Sequence, residues 1–252
     1  AVRAGDAVDG LGTVECMTAI FDKKPTDARM GLQGYPCVPY AVDGLYCTYM
    51  FNYSNGSLVN WFKNRLLHGY KGEEKDFFSY IEKEMSASPT GILTLPYFAG
   101  AATPYQNIGA KGAVIGLTLA ASDADVYKSI LEGTAMEMRF NAETVKRYGI
   151  RIRSAIATGG GANSKKWLQL KADIQDIPVK TLRSSEGGLC GCAMLQAVAA
   201  GRAKDLAEAA AVFARYKDEF LPDAAMHAAY EGQYKKYKKL YKTIKELTDE
   251  RV

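Results

Sequence analysis

Residues 152–182 read IRSAIATGGGANSKKWLQLKADIQDIPVKTL. A run of strand formers (152–158) meets three consecutive glycines, then a helix-spaced stretch (163–175), then a second short run that opens at Pro178 (178–182). Strand, helix and strand in so short a span predict two strands lying parallel in one sheet with the helix packed across it.

The other end of the chain has a different grammar. Runs rich in strand formers occupy 14–21 (VECMTAIF), 35–42 (YPCVPYAV) and 45–54 (LYCTYMFNYS). Asp43-Gly44 joins the last two as a hairpin turn. That predicts three antiparallel strands, with a loop containing Pro25 and Gly31 between the first two. The opening residues, AVRAGDAVDG, carry no strand or helix signal and no initiating Met, and read as the middle of a longer protein. Helical spacing follows in SLVNWFKNRLLHG (57–69) and over 76–85, the latter ended by Pro89. Strand-length apolar runs stand at 92–100 and 112–119. A long helix spans 122–149, with Ser122 as N-cap, acids in its first turn and Gly149 at its stop. Further helices are expected over 187–200, near 204–214 and over 223–249. The order predicts an α/β domain: a mixed sheet with three antiparallel strands followed by alternating helices and strands that pair in parallel. A doubly wound fold would open with βαβ and is excluded.

Composition sets outer limits. The chain has 252 residues, 48% hydrophobic and 24% charged, with a formal net charge of +4, too small to argue for nucleic acid. The Lys-rich tail reads as a solvated helix face, with Tyr230, Tyr234, Tyr237 and Tyr241 spaced to pack on the domain. No apolar run reaches the ~18 residues of a membrane span, and no secretory leader is expected. Five cysteines include Cys190 and Cys192, one residue short of CxxC, and the histidines His68 and His227 lie far from them. Reduced thiols in a cytoplasmic protein fit this better than zinc, and no metal site is expected.

Three glycine turns are candidate ligand sites. GGGANS fails the dinucleotide fingerprint, which needs Gly at Ser164, and the phosphate-loop pattern, which Lys165-Lys166-Trp167 does not complete. A strand, bare backbone and a helix N-terminus still suit a flat base or a phosphate. A tight strand-to-helix turn explains the glycines equally well. Gly12-Thr13, within DGLGTVE, offers a hydroxyl beside backbone amides, or only a turn. Asn55-Gly56-Ser57 ends a strand and opens a helix, as a site or as a cap.

Together these pieces resemble the C-terminal domain of the FGGY family of carbohydrate kinases. The most specific match is GAVIGLTLAASDADVYKSILEG. It supplies Gly112, Val114, Gly116, Leu117, Asp125, Val126, Ser129, Ile130, Leu131 and Glu132 at every position the family signature asks for. Gly12-Thr13, GSLVNWF (56–62), PYFAGAATP (96–104) and GGGANSKKWLQLKADIQDIPV follow the family's order, over roughly residues 8–201. The resemblance implies an actin-like (ribonuclease H-like) ATPase fold, with MgATP held between two domains and its γ-phosphoryl passed to a hydroxyl of a small sugar or polyol, such as xylulose. It implies that Thr13 contacts the ATP phosphates with Gly12 giving backbone access. Gly56, with Asn60, borders the nucleotide. Gly160 and Gly161 lie against adenine or ribose, with Asn163 or Ser164 as the polar contact. Residues 1–252 then form the nucleotide-binding domain, with the sugar-binding domain and the catalytic Asp upstream. Asp6 and Asp9 lack the Gly-x-x-Asp motif of that base. The isolated chain is expected to bind nucleotide without turnover, and homodimer formation stays open. Gly100-Ala101-Ala102-Thr103-Pro104 lacks the charged pair of the Gly-Glu-Arg-Thr-Pro segment frequent in xylulokinase-like members, which widens the choice of sugar. The alternative is a non-catalytic nucleotide-binding or regulatory module of the same fold.

Overall fold

Alternate burial organises the middle of the sheet. Ala7, Asp9 and Leu11 point inward from Asp6–Leu11 (β1), and Glu15, Met17 and Ala19 from Glu15–Phe21 (β2). In the computed structural model, which describes residues 1–67, 70, 72–73, 77–184 and 186–248, β1 turns back into β2 at Gly12-Thr13. β2 pairs antiparallel with Tyr46–Asn52 (β4), and β4 with Val38–Pro39 (β3) across the turn where Gly44 has φ 76°. The expected antiparallel group is present, with two corrections. The opening residues, read as featureless, contain a fourth strand. The run 35–42 contributes only two paired residues, because Pro36 and Pro39 have no N–H to give a ladder. A single helical turn, Arg29–Leu32 (α1), sits in the preceding loop.

β1 is the hinge of the mixed sheet. Its other edge pairs parallel with Ser154–Thr158 (β7), and β7 pairs parallel with Val179–Leu182 (β8). An edge strand that the sequence reading missed, Tyr216–Phe220 (β9), runs antiparallel to β8. The order is β3-β4-β2-β1-β7-β8-β9. The runs at 92–100 and 112–119 do not join it in parallel as expected. They shrink to Leu93–Leu95 (β5) and Ala113–Ile115 (β6), which pair antiparallel in a sheet of their own. Pro96 ends the first and Gly116, at φ 95°, turns the chain after the second.

The expected helices form as Gly56–Arg65 (α2), Phe77–Glu84 (α3), Asp123–Lys146 (α4), Lys165–Gln175 (α5), Gly187–Ala199 (α6), Leu206–Phe213 (α7) and Ala224–Thr248 (α8). Expected ends at His68, Gly69, Asp76 and beyond 248 lie outside the described residues. Ser122 and Asp125 close a reciprocal capping box on α4, and Gly149, at φ 87°, ends the segment. α4 is shared by two cores. Tyr127, Leu131 and Met136 face one, with α5 and α8, while Met138 and Val145 face the other, under the sheet. The tail behaves as read: Tyr230, Tyr234 and Tyr237 are buried, Tyr241 stacks on Tyr105 at 3.9 Å, and the lysines between them are exposed. α6 is the exception among the helices. It is strongly apolar, yet none of its residues is buried, and Leu189 is 68% exposed.

Candidate functional site

The first wall of the site is the β1–β2 turn. The amides of Asn55, Gly56 and Ser57 donate to the carbonyls of Thr13, Gly12 and Thr13 at 3.0–3.2 Å. The start of α2 therefore spends these donors on the turn and fixes its shape. A side chain at Gly56 would put its Cβ 2.7 Å from the Gly12 oxygen, so glycine is required there for close approach. Both Gly12 and Thr13 stay exposed.

The second wall is the turn after β7. Gly159 has φ 84°, residues Gly160–Asn163 make one 3-10 turn, and Ser164 caps α5 by accepting from the Trp167 amide at 3.1 Å. The three glycines divide the two explanations between them. A Cβ at Gly159 or Gly161 would press on Leu11, and at Gly161 on the Trp167 ring as well, so packing demands those two. A Cβ at Gly160 would meet nothing within 4 Å. Gly160 alone opens to free space.

These walls enclose a cavity of about 580 Å³, within the range of small-molecule sites. Gly12, Thr13, Gly56, Asn60, Gly160, Gly161, Asn163 and Ser164 all line it, so every candidate site residue converges there. Sequence reasoning missed Leu11, Val59, Phe78, Ser79, Glu82, Tyr127 and Trp167, which complete the lining. Two of these carry unread chemistry. The Trp167 indole N–H is buried without a hydrogen-bond partner. Glu82 accepts from the Ser164 hydroxyl at 2.6 Å. Ser164 is thus occupied twice, as cap and as donor, while Asn163 is exposed.

Beneath the floor lies a buried ionic cluster. Lys171 stands one turn after Trp167 on α5, and Asp9 two residues before Leu11 on the same face of β1. The Lys171 ammonium donates to Glu15 and lies 3.0 Å from Asp9 Oδ2, and all three side chains are wholly buried. Neither Asp9 oxygen, nor Glu15 Oε2, has an aligned hydrogen-bond donor. Burial pushes the Glu15 carboxyl up to about 8 against the pull of Lys171, and Asp9 adds to the rise. For Lys171 burial acts downward, but the two carboxylates outweigh it and its pKa is raised. The ammonium therefore persists between the two acids.

With this geometry in place, the comparisons are specific. The FGGY family of carbohydrate kinases, C-terminal domain, matches residues 10–200. The chain belongs to that family. A xylulose kinase of Staphylococcus epidermidis is 31% identical over 77% of this FGGY chain and 38% of its own length. Among solved structures, the xylulose kinase of Rhodospirillum rubrum superposes with a TM-score of 0.84 at 24% identity, over 98% of this chain and 49% of that one. The Plasmodium falciparum glycerol kinase solved with ADP gives 0.77 at 19% identity, over 99% and 48%. The FGGY chain thus spans less than half the length of these relatives, and its fold is the actin-like one of the family.

The family signature serves structure here. Asp125 caps α4, and Ser129 shares a hydrogen bond with Thr94 at 2.8 Å. Glu132 accepts from the Thr90 hydroxyl and amide, Tyr230 and Gln233 at 2.6–3.1 Å. None of these three lines the cavity. Asp6 accepts from Ser154, and Asp9 is committed to the buried cluster, so neither faces the cavity either.

Proposed function

We propose that this chain is the ATP-binding half of a cytoplasmic carbohydrate kinase, whose sugar-binding half lies outside it. The observation that carries this reading is the convergence of Gly12-Thr13, Gly56 and Gly160-Gly161, read from three separate segments, on one cavity. Adenine and ribose would lie against Gly160, with Trp167 Nε1 as an unspent donor. Asn163 is favoured as the polar contact because the Ser164 hydroxyl is already taken. The phosphates would extend towards the exposed Thr13 hydroxyl. Among the described residues no group of three His, Cys, Asp or Glu side chains could hold a metal. Mg²⁺ would be brought by the nucleotide and would neutralise its phosphate charge beside Thr13.

The whole protein would form a bond from a sugar or polyol oxygen to the γ-phosphorus as the bridging bond to ADP breaks, with the hydroxyl proton going to a base. Among the described residues no carboxylate suited to that base lines the cavity, since Glu82 is bonded to Ser164. Base and sugar are therefore assigned to the other half, with a ketopentose such as xylulose within the acceptor class. Among the described residues no helix is long and apolar enough to cross a membrane.

Calorimetric titration with MgATP tests this. The chain should bind one nucleotide saturably, and Gly160→Trp, which fills open space, should weaken binding at least tenfold (about 1.4 kcal/mol) without lowering the melting temperature. Absence of saturable binding, or binding indifferent to both Gly160→Trp and Thr13→Val, overturns the site. A coupled assay over a sugar panel should show no turnover by this chain alone; robust turnover would overturn the division of labour.

A further inference from the structure

α5 has a nucleotide-facing end and an opposite end, separated by its 11 residues, about 16 Å of helix. The opposite end borders a second cavity, of about 400 Å³, between the close of α4, the approach to β7 and the start of α8. Gln175 lines it, is only 8% exposed, and has no partner for either its Oε1 or its Nε2. Arg139 lines it too. Its guanidinium stacks over Tyr234 at 4.0 Å and pairs with Glu231 and Glu143, yet Nη1 is buried without an acceptor. Two residues that line one cavity thus hold buried polar atoms without partners, which a ligand bearing both acceptors and donors would satisfy.

The charges name its sign. Lys146, Arg151 and Arg153 line the cavity and make no ion pair among the described residues. The acids there are Glu143, already shared by Arg139 and Lys238, and Asp176. A cation at the end of α4 answers that helix's own carbonyls, which accounts for Lys146. It does not account for Arg151, Arg153 or the buried amide.

We propose that this cavity is a second ligand site, taking a small polyhydroxylated anion such as a sugar phosphate or a sugar acid. Lys146, Arg151 and Arg139 Nη1 hold the anionic group, and the Gln175 amide exchanges hydrogen bonds with hydroxyls. This does not rest on the nucleotide reading, because it uses none of the residues of the first cavity.

Calorimetry with ribose 5-phosphate, gluconate and inorganic phosphate tests it. Ribose 5-phosphate or gluconate should bind with one-to-one stoichiometry and a Kd of about 1 mM or tighter, and inorganic phosphate at least tenfold more weakly. The double variant Lys146→Ala/Arg151→Ala changes only exposed side chains, and should weaken that binding at least tenfold with unaltered melting. Gln175→Leu should weaken the hydroxylated probe and leave inorganic phosphate unchanged. The proposal is overturned if no probe saturates, or if inorganic phosphate binds as well as the others, an adventitious ion only. It is also overturned if Gly160→Trp abolishes binding while Lys146→Ala/Arg151→Ala does not, which puts the ligand in the first cavity.

Discussion

Two buried carboxylates in this molecule are kept in opposite ways. Glu137, in the middle of α4, accepts from the hydroxyls of Tyr237 at 2.5 Å and Tyr97 at 3.0 Å, and from the Asn141 amide at 3.0 Å. Neutral donors serve both of its oxygens. Glu15, under the floor of the first cavity, depends with Asp9 on the single ammonium of Lys171, and three of their four oxygens have no aligned donor. Burial raises both: Glu137 to about 7, with the three donors holding it down, and Glu15 to about 8. The first arrangement distributes its support over α4, α8 and the β5 region. The second concentrates it in one side chain, at the point where β1, β2 and α5 meet below Leu11 and Trp167. A carboxylate held by several neutral donors tolerates the loss of one; a pair held by one cation does not.

The largest expected effect is therefore at Lys171. Lys171→Met should cost about 3–5 kcal/mol in urea unfolding, because it strands two buried carboxylates. Glu137→Gln should cost only about 1 kcal/mol, since a neutral amide can still accept from the tyrosines. Equal losses from the two variants would break the comparison.

Next comes pH. Both folded pKa values lie above the ordinary 4.5, so between that value and 7–8 the native state binds more protons than the unfolded chain. The contribution of these two groups to stability should be full below about pH 4.5, fall as pH rises, and level off above about 8. Glu137→Gln should remove the part of the fall completed by pH 7, and Glu15→Gln the part that continues to 8. Denaturation midpoints measured from pH 5 to 9 check this, and a stability that rises over that range refutes it. The smallest effect should come from Tyr237→Phe, about 0.5 kcal/mol in thermal melts, with the Glu137 limb of the pH curve moved upward because one donor is gone.

The same contrast explains what could be read from the sequence. The N-cap at Ser122, the turn at Asp43-Gly44 and the spaced tyrosines of α8 rest on neighbours in sequence, and all were legible. β1 was not, because its inward residues are Ala7, Asp9 and Leu11. Asp9 breaks the apolar alternation, and the Lys171 that makes its burial tolerable lies 162 positions away. A faint signal existed: Lys171 falls in the apolar stripe of α5 with Trp167 and Ile174, where a cation needs a partner. β9 was hidden by its charges, which suit an edge strand. At the site, the eight backbone and polar candidates were legible through family order. Trp167, Tyr127 and Glu82 were not, because which face of a helix meets a cavity is decided by packing between elements.

The family match stops at residue 200, but the folded unit does not. Tyr230, Tyr234, Tyr237, Leu240 and Ile244 of α8 share a core with Leu131 and Trp167, and Tyr230 and Gln233 complete the shell of Glu132. What the family model matches is thus shorter than what must be kept for folding. An expression boundary drawn where that match ends would strip the cover from α4 and leave Glu137 without Tyr237. The stretch past residue 200 belongs to the domain by packing, and the superposed kinases extend over it as well.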